Sequence, residues 1–371
     1  MDIVVVLLAL VFLMAVAYRG FSVILFAPVA ALAAVLLTAP AMVLPFYSAI
    51  FMERLAGFVK LYFPVFLLGA VFGKLIEISG FARSIIRAVV SVVGAHRAIL
   101  AIVFVCALLT YGGVSLFVVA FAVYPFAAEL FRLAGIPKRL IPATIALGAF
   151  TFTMDALPGS PQIQNIIPTT FYETNTWAAP WLGLCGGFFV LVLGLLYLDW
   201  RRRRAAQSGE GYGHGSAEPE ERAGDKLPHP LVAAAPLVLV GVLNRLFTTW
   251  IPIVYGRTVD LPGAVTVEVA SVAALWAVEV ALLAAILTVA VIAFRRTRDS
   301  FASWTSAAIG GAMLAALNTG SEYGFGAVIA ALPGFEAVRS FLGATIRDPL
   351  LNVAVTTNVL AGITGSASGG M

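Results

Sequence analysis

Long apolar runs, separated by short polar segments, fill most of this chain. They lack the period-2 alternation of membrane β-barrels, and each full run approaches the roughly 20 residues that a helix needs to cross a bilayer. The pattern therefore predicts membrane-spanning α-helices. The runs fall at 2–18, 21–38, 55–77, 98–131, 140–169, 180–199, 231–250, 267–294, 302–331 and 349–371, with amphipathic pieces at 80–95 and 334–346.

Composition leads to the same fold class. Of the 371 residues, 61% are hydrophobic and 11% are charged, whereas about a quarter of a soluble domain is charged. We therefore predict an all-α polytopic membrane protein, with the lipid bilayer as its surroundings. The net charge of +4 comes from basic residues at the ends of apolar runs. No basic patch interleaved with aromatic residues indicates a nucleic-acid partner.

Basic clusters assign the sides of the membrane, because they collect in the cytoplasm. The polar segment 200–229 has four arginines near its start, at 201–204, and we interpret it as a cytoplasmic linker. The run 98–131 has basic residues on both flanks and a natural tip at Tyr111, Gly112 and Gly113. If the run enters the membrane and returns, both flanks are cytoplasmic. We predict such a re-entrant hairpin; the alternative is one long tilted helix with a glycine kink.

The run 140–169 is broken in its middle. An acid at membrane depth costs roughly 2.5–3.5 kcal/mol on insertion scales and usually faces a partner or a wet cavity. Irregular backbone is tolerated there only where protein buries it or where it lines such a cavity. We predict a transport site on a broken helix; the alternative is a polar external loop. The interrupting residues are Asp155, Pro158, Gly159, Ser160 and Pro161.

A weak internal repeat links the two halves. The segment GAVFGKLIEISGF at 69–81 has an echo in EYGFGAVIAALPGF at 322–335. A fifteen-residue step from an arginine to a glycine also occurs twice, from Arg97 to Gly112 and from Arg347 to Gly362. Five predicted crossings separate the copies, so they are antiparallel. Inverted repeats with matched broken segments are a recurring design of secondary transporters.

This repeat predicts the domain organisation. We expect a first inverted repeat at 1–199, the cytoplasmic linker at 200–229, and a second, incomplete repeat at 230–371 that ends inside its hairpin. On this interpretation the C-terminus is truncated. A rival register pairs Leu140 with Leu350 and Gly159 with Gly369, and it makes the repeat parallel.

Hairpin tips and helix breaks expose half-helix ends, whose free N–H groups and dipole attract an anion. Small residues there let a substrate approach the backbone. For any single serine or threonine, the alternative role is a hydrogen bond to its own helix. The predicted substrate-binding residues are Tyr111, Gly112, Gly113, Ser115, Thr153, Ser160, Gln162 and Asn165 in the first half, and Thr364, Ser366 and Ser368 in the second.

Asp155 is the predicted coupling residue, because a carboxylate at a helix break can carry a proton or bind sodium through its oxygens. We expect no cofactor other than the coupling ion, a proton or, alternatively, sodium. The chain has no HExxH motif, no clustered histidine and cysteine, and no phosphate-binding P-loop. We therefore expect no metal site and no enzyme activity.

Three segments resemble the gluconate permease (GntP) family of the ion-transporter superfamily, closest to its hydroxybutyrate-permease-like branch. They are TYGGVSLFVVAFAVYPFAAELFRLAGIPKRLIP at 110–142, TFTMDALPGSPQIQNIIPT at 151–169 and NVLAGITGSASGGM at 358–371. The resemblance implies proton-coupled uptake of an organic acid by an elevator-like homodimer. It also implies that Gly112, Gly113, Ser115 and the break at 155–165 contact the substrate.

The leading hypothesis is a multi-pass secondary transporter in a bacterial-type inner membrane. It would import a small organic carboxylate, such as a gluconate-like sugar acid or a short hydroxy acid, by proton symport. One alternative is a sodium-coupled citrate or dicarboxylate carrier of the same superfamily. Another is a truncated, non-transporting membrane subunit.

Overall fold

The structure, a computed structural model, describes residues 2–93, 97–114, 116–213, 227–263, 265–298, 300–335 and 348–364. This part of the chain is almost entirely α-helical, with one short two-stranded antiparallel β-hairpin. The predicted fold class, an all-α polytopic membrane protein, is confirmed. The inverted repeat within that class stays a prediction.

The element bounds follow the apolar runs closely. The helices are α1 Asp2–Tyr18, α2 Val23–Thr38, α3 Val43–Phe46, α4 Glu53–Ile78, α5 Phe81–Val93, α6 Ala98–Tyr111, α7 Leu116–Leu133, α8 Ile141–Ala149, α9 Phe152–Asp155, α10 Ile163–Tyr172, α11 Pro180–Gln207, α12 Pro230–Tyr255, α13 Val269–Ile292, α14 Phe294–Thr297, α15 Phe301–Ala330 and α16 Pro349–Thr364. The strands are β1 Thr258–Leu261 and β2 Val265–Glu268.

Four helical stretches among the described residues are long and apolar enough to cross a membrane. They are Pro40–Ile78, in which short 3-10 and π turns lead into α4, and the helices α11, α12 and α13. Three shorter apolar helices, α1, α2 and α6, have 14 to 17 residues. Few residues of these spans are buried within the chain, as expected where lipid covers the outer face.

The chain divides into two compact units. The first comprises Met1–Phe66 and Gly310–Met371. Its core joins α1, α2 and α15, with Leu13, Val35 and Phe325 each at most 1% exposed. Close helix packing depends on a glycine: a Cβ on Gly324 would lie 2.9 Å from the carbonyl oxygen of Phe51.

The second unit, Leu67–Ile309, contains the predicted hairpin. Helix α6 ends at Tyr111, a turn follows, and α7 begins at Leu116. Residues at the start of α6 and Ile136, just after α7, line one cavity of about 260 Å³ together with Arg202 of α11. Both flanks of the hairpin therefore lie at the same end of the unit. The alternative of one long helix is wrong; that the hairpin is re-entrant stays a prediction.

Helix α11 is longer than expected. We predicted a helix at 180–199 and a linker from 200, but the helix continues to Gln207. Its last turns are stabilised by Asp199, which accepts hydrogen bonds from Arg202 and Arg203 at 2.7 Å. Oppositely charged side chains three and four residues apart stabilise a helix, so the arginines extend the helix instead of starting the linker.

Helices α12 and α13 form an antiparallel pair, and β1 and β2 connect them. The β-hairpin is absent from our sequence-based prediction. Its signal was the Pro-Gly turn at 262–263, flanked by valines and threonines, which favours a hairpin.

The second predicted hairpin tip differs from the first. Helix α6 ends just before Gly112, whereas α16 continues through Gly362 to Thr364. The amphipathic piece at 334–346 lies mostly outside the described residues. The repeat therefore has no matching turn within the described part of α16.

Candidate functional site

The broken helix is built from three short pieces. Helices α8, α9 and α10 are separated by turns at 150–151 and 156–162. Gly159 makes the second turn possible, because its φ of +77° is strained for any other residue. The ring of Trp177 covers it so closely that a Cβ on Gly159 would overlap the indole. The backbone N–H of Gly159 donates to the carbonyl of Thr176 at 2.7 Å.

Helix α11 runs antiparallel along the broken helix on a face of glycines. A Cβ on Gly194 would overlap Leu147 in α8, and one on Gly183 would overlap the carbonyl oxygen of Ala156. The backbones approach closely at both points because neither glycine carries a side chain. The break is therefore held against a continuous helix of spanning length.

The hairpin tip and the break are joined by side-chain hydrogen bonds. The phenol of Tyr111 donates to the carbonyl of Pro158 at 2.8 Å. The amide Nε2 of Gln162 donates to the carbonyls of Thr110 at 2.7 Å and Val114 at 3.2 Å. Two of the predicted site residues thus connect the α6–α7 turn to the loop between α9 and α10.

Three more predicted residues donate to backbone carbonyls of the broken helix or of the segment that follows it. The hydroxyl of Thr153 donates to the carbonyl of Gly148, and that of Ser160 donates to the carbonyl of Thr153, both at 2.7 Å. The Asn165 amide donates to the carbonyls of Ser160 and Thr176 at 2.9 and 3.0 Å. These donors satisfy the carbonyls that the break leaves free, which is the backbone-bonding role considered as the alternative.

The tip glycines are packed against apolar side chains. A Cβ on Gly112 would lie 2.5 Å from Leu237 in α12, and one on Gly113 would lie 3.1 Å from Leu282 in α13. We expected small residues to let a substrate approach the backbone here. In this structure the leucines occupy that space, so a ligand reaches the tip only if they move.

The tip also has a defined depth along the α12–α13 pair. Besides Leu282, the side chain of Val240 lies 3.6 Å from the Cβ position of Gly113. Val240 is the eleventh of 26 residues in α12, and Leu282 is the fourteenth of 24 in α13. At 1.5 Å per residue, each lies about 15–23 Å from either end of its helix. The hairpin tip therefore lies near mid-length of two helices that are long enough to span a membrane.

Helix α12 supplies residues that sequence reasoning missed. The amide of Asn244, fully buried, donates to the carbonyl of Gly159 at 2.9 Å. The next residue, Arg245, places its guanidinium 5.1 Å from the ring centre of Trp177. An asparagine and an arginine inside an otherwise apolar run were the available signal, but only the fold brings them to the break.

Some buried polar atoms around the break have no hydrogen-bond partner within the described part of the chain. They are the Thr110 hydroxyl, the Gln164 Oε1 oxygen and the Trp177 indole nitrogen. An unsatisfied buried polar group costs free energy, so each such atom is a candidate for contact with a ligand or water. None of the three was in our predicted set.

Asp155, the predicted coupling residue, is the last residue of α9 and has an exposed side chain. No ion pair involves it among the residues that the structure describes. It lies at the break, one turn before Gly159. Its coupling role stays a prediction.

The remaining predicted residues cannot be placed fully. Ser115, Ser366 and Ser368 lie outside the described residues, and Thr364 ends α16 without a described side chain. Within the described residues no three acidic, histidine or cysteine side chains gather as a metal site.

These features define a helical membrane protein with an interrupted helix and a hairpin tip that meet inside one unit. No protein-family model matches the chain. Over 389 aligned positions the chain is 56% identical to the uncharacterized transporter YxjC of Bacillus subtilis (strain 168), covering all of this chain and 82% of that protein. The chain therefore belongs to the family of transporters that includes YxjC.

Proposed function

We propose that this transporter is a secondary carrier that imports a small organic carboxylate by proton symport, in the manner of the gluconate permeases. The observation that carries the proposal is the meeting of the hairpin tip and the broken helix at mid-length of α12 and α13. Secondary transporters bind their substrates where discontinuous helices meet near the bilayer midplane. The proposed cellular location is a bacterial-type inner membrane.

The preference for an anion is supported by charge. Arg245 carries a permanent positive charge within a helix of spanning length, and Trp177 covers one face of its guanidinium. A charged residue at membrane depth marks a substrate or ion pathway by default. Arginine also suits carboxylates, because its planar group can donate two parallel hydrogen bonds.

The preference for a hydroxylated acid is supported by the unpartnered atoms. Trp177 offers an N–H donor and Gln164 a carbonyl acceptor, and neither is satisfied within the described residues. A hydroxyl group both donates and accepts. A hydroxy acid would therefore match these atoms better than a purely apolar acid.

Proton coupling rests on Asp155 at the break, with sodium as the alternative ion. A carboxylate that binds and releases a proton can couple transport to a pH gradient. Asp155 is exposed on the described chain and forms no ion pair within the described residues.

The test is uptake by the purified full chain in proteoliposomes. We expect radiolabelled gluconate or 3-hydroxybutyrate to accumulate when the outside is acidic, and expect no accumulation after a proton ionophore is added. Accumulation that needs sodium and ignores the pH gradient would favour the sodium-coupled citrate or dicarboxylate carrier. No uptake of any of these acids, in protein shown to be folded, would favour the non-transporting subunit.

A further inference from the structure

A second polar region lies at the opposite end of α11 from the break. An open cavity of about 240 Å³ lies there between the end of α11 and the short 3-10 turn Lys138–Leu140. It is lined by Arg139, Arg201, Arg204, Ala205 and Ser208. Three of these five residues are arginines, so the cavity is suited to an anion.

The cavity is built by a reversal of the chain after α11. Gly209, at φ +71°, ends the helix, and the N–H of Glu210 donates back to the carbonyl of Ala205 at 2.9 Å. This Schellman turn returns Glu210 to Arg139, which donates to both carboxylate oxygens at 2.7 Å. The wall of the cavity is therefore fixed by a bidentate ion pair.

The charges around the cavity do not balance. Asp199 forms ion pairs with Arg202 and Arg203, and Glu210 forms one with Arg139. These five residues and Arg201 and Arg204 carry five positive and two negative charges. Neither Arg201 nor Arg204 forms an ion pair within the chain as described.

The guanidinium groups of Arg201 and Arg204 instead lie near aromatic rings, and Arg201 donates to the hydroxyl of Tyr197 at 3.2 Å. Their guanidinium carbons lie 5.8 Å from the ring centre of Tyr197 and 5.6 Å from that of Trp200. Both aromatic side chains are about half exposed. Half-exposed tyrosine and tryptophan at the end of an apolar helix mark the membrane–water boundary, so the cavity lies at the level of lipid phosphates.

We infer that this cavity binds the phosphate head group of an anionic phospholipid from the cytoplasmic leaflet. The two arginines without a carboxylate partner both line it, at the depth where phosphodiesters lie. Basic pockets at the cytoplasmic ends of spanning helices recognise such head groups. The site is separate from the proposed transport site and does not depend on it.

The experiment titrates the delipidated full chain in detergent with phosphatidylglycerol, and native mass spectrometry measures the first bound lipid. Each arginine near a charged membrane surface changes lipid affinity about fivefold, so we expect about 30-fold weaker binding in the R201Q/R204Q variant. Phosphatidylcholine, which is zwitterionic, should bind the wild type more weakly than phosphatidylglycerol.

The matched control is R202Q/R203Q, which removes the same charge from the same helical turn. It also leaves Asp199 without its arginine partners, and this carboxylate would repel an anion. The control therefore overstates the loss of lipid affinity, which makes the comparison strict. We expect a smaller loss than in R201Q/R204Q. Ser208→Glu, at the surface end of α11, is a second variant that keeps every arginine and should also weaken binding.

Several results would overturn the inference. Equal losses in the two double variants would mean a diffuse charge effect. Equal affinity for phosphatidylglycerol and phosphatidylcholine would exclude head-group charge. If inorganic phosphate displaced the lipid at matching concentration, the occupant would be a free anion.

Discussion

Polar side chains play different structural roles at the two ends, or poles, of helix α11. At the break, the side chains of Gln162, Ser160 and Asn165 donate to backbone carbonyls, and leucines cover the tip glycines. At the other pole, arginines line an open cavity without enough carboxylates to pair with. The first arrangement stabilises an irregular backbone in an apolar setting, and the second leaves charge available to an external anion.

This difference shows why polar residue types alone do not locate a binding site. A hydrogen-bonded network at a helix break is required merely to satisfy the freed backbone groups. The groups that indicate a binding site there are those that take no part in this network. They are Asp155, Arg245 and the unpartnered atoms of Thr110, Gln164 and Trp177.

The largest expected effect comes from Asp155→Asn. Because the amide cannot release a proton, the variant should lose pH-driven accumulation while expression and thermal stability survive. Proteoliposome uptake measures the loss, with Asp260→Asn in the β-hairpin as the control acid. Normal accumulation by Asp155→Asn would remove this residue from coupling.

A smaller loss is expected from Arg245→Gln. If this guanidinium attracts the substrate carboxylate, its removal costs about 1.5–3 kcal/mol of interaction, equivalent to about 10- to 150-fold in uptake efficiency. The ratio of maximal rate to half-saturating concentration measures it. Arg257→Gln, just beyond α12, removes the same charge away from the break and should transport normally. Equal behaviour of the two variants would argue against Arg245 as a substrate contact.

Alanine substitution of two glycines with similar φ tests how tightly the chain is packed at each pole of α11. Gly159 and Gly209 have φ of +77° and +71°, but only Gly159 has a neighbour where a Cβ would lie. Alanine costs about 1–2 kcal/mol in this conformation, and overpacking adds about 1–3 kcal/mol. Gly159→Ala should therefore lower the melting temperature more than Gly209→Ala. Equal shifts would mean that Trp177 moves aside at no cost.

The smallest effect concerns the ion pair at the arginine cavity. The hydrogen bond from Arg139, followed by the charges of Arg139 and Arg201, holds the pKa of Glu210 below its ordinary value of 4.5. A depressed pKa adds stability above the ordinary value, and that stability disappears as pH falls through the folded-state pKa. Exposed pairs contribute little, so Glu210→Gln should lower the melting temperature slightly at neutral pH.

The pH dependence distinguishes the ion pair from other effects of this substitution. Melting curves of the wild type and Glu210→Gln should converge as the pH falls below the ordinary value of 4.5 and through the lowered folded-state pKa of Glu210. A difference that persisted unchanged in acid would show that the carboxylate charge is not its origin.

Much of this architecture could be predicted from local sequence. Glycines, prolines and polar residues inside apolar runs indicated the turn after Tyr111 and the break near Gly159. An irregular backbone in such a run must satisfy its freed N–H and C=O groups, and nearby polar side chains can do so. The contributions of Asn244, Arg245 and Trp177 could not be predicted. They come from distant segments, and periodicity does not reveal which spanning helices are neighbours.

The boundary errors have local causes. Four arginines after an apolar run suggested the start of a linker, yet Asp199 and the aromatic rings beneath them keep α11 helical to Gln207. Similarly, the role expected for Gly112 depended on open space that Leu237 fills. Side-chain packing, which the linear pattern does not contain, decides both.

The proposed transport site requires the hairpin of α6 and α7 to enter and leave on one side of the membrane. Single cysteines at Arg97 and Ala134, in a background without Cys106 and Cys185, can be labelled by a membrane-impermeant maleimide in oriented vesicles. Ser208→Cys and Asp260→Cys provide references for the two faces. We predict that positions 97, 134 and 208 react from the same face and that 260 reacts from the other. Labelling of 97 and 134 from opposite faces would contradict the account.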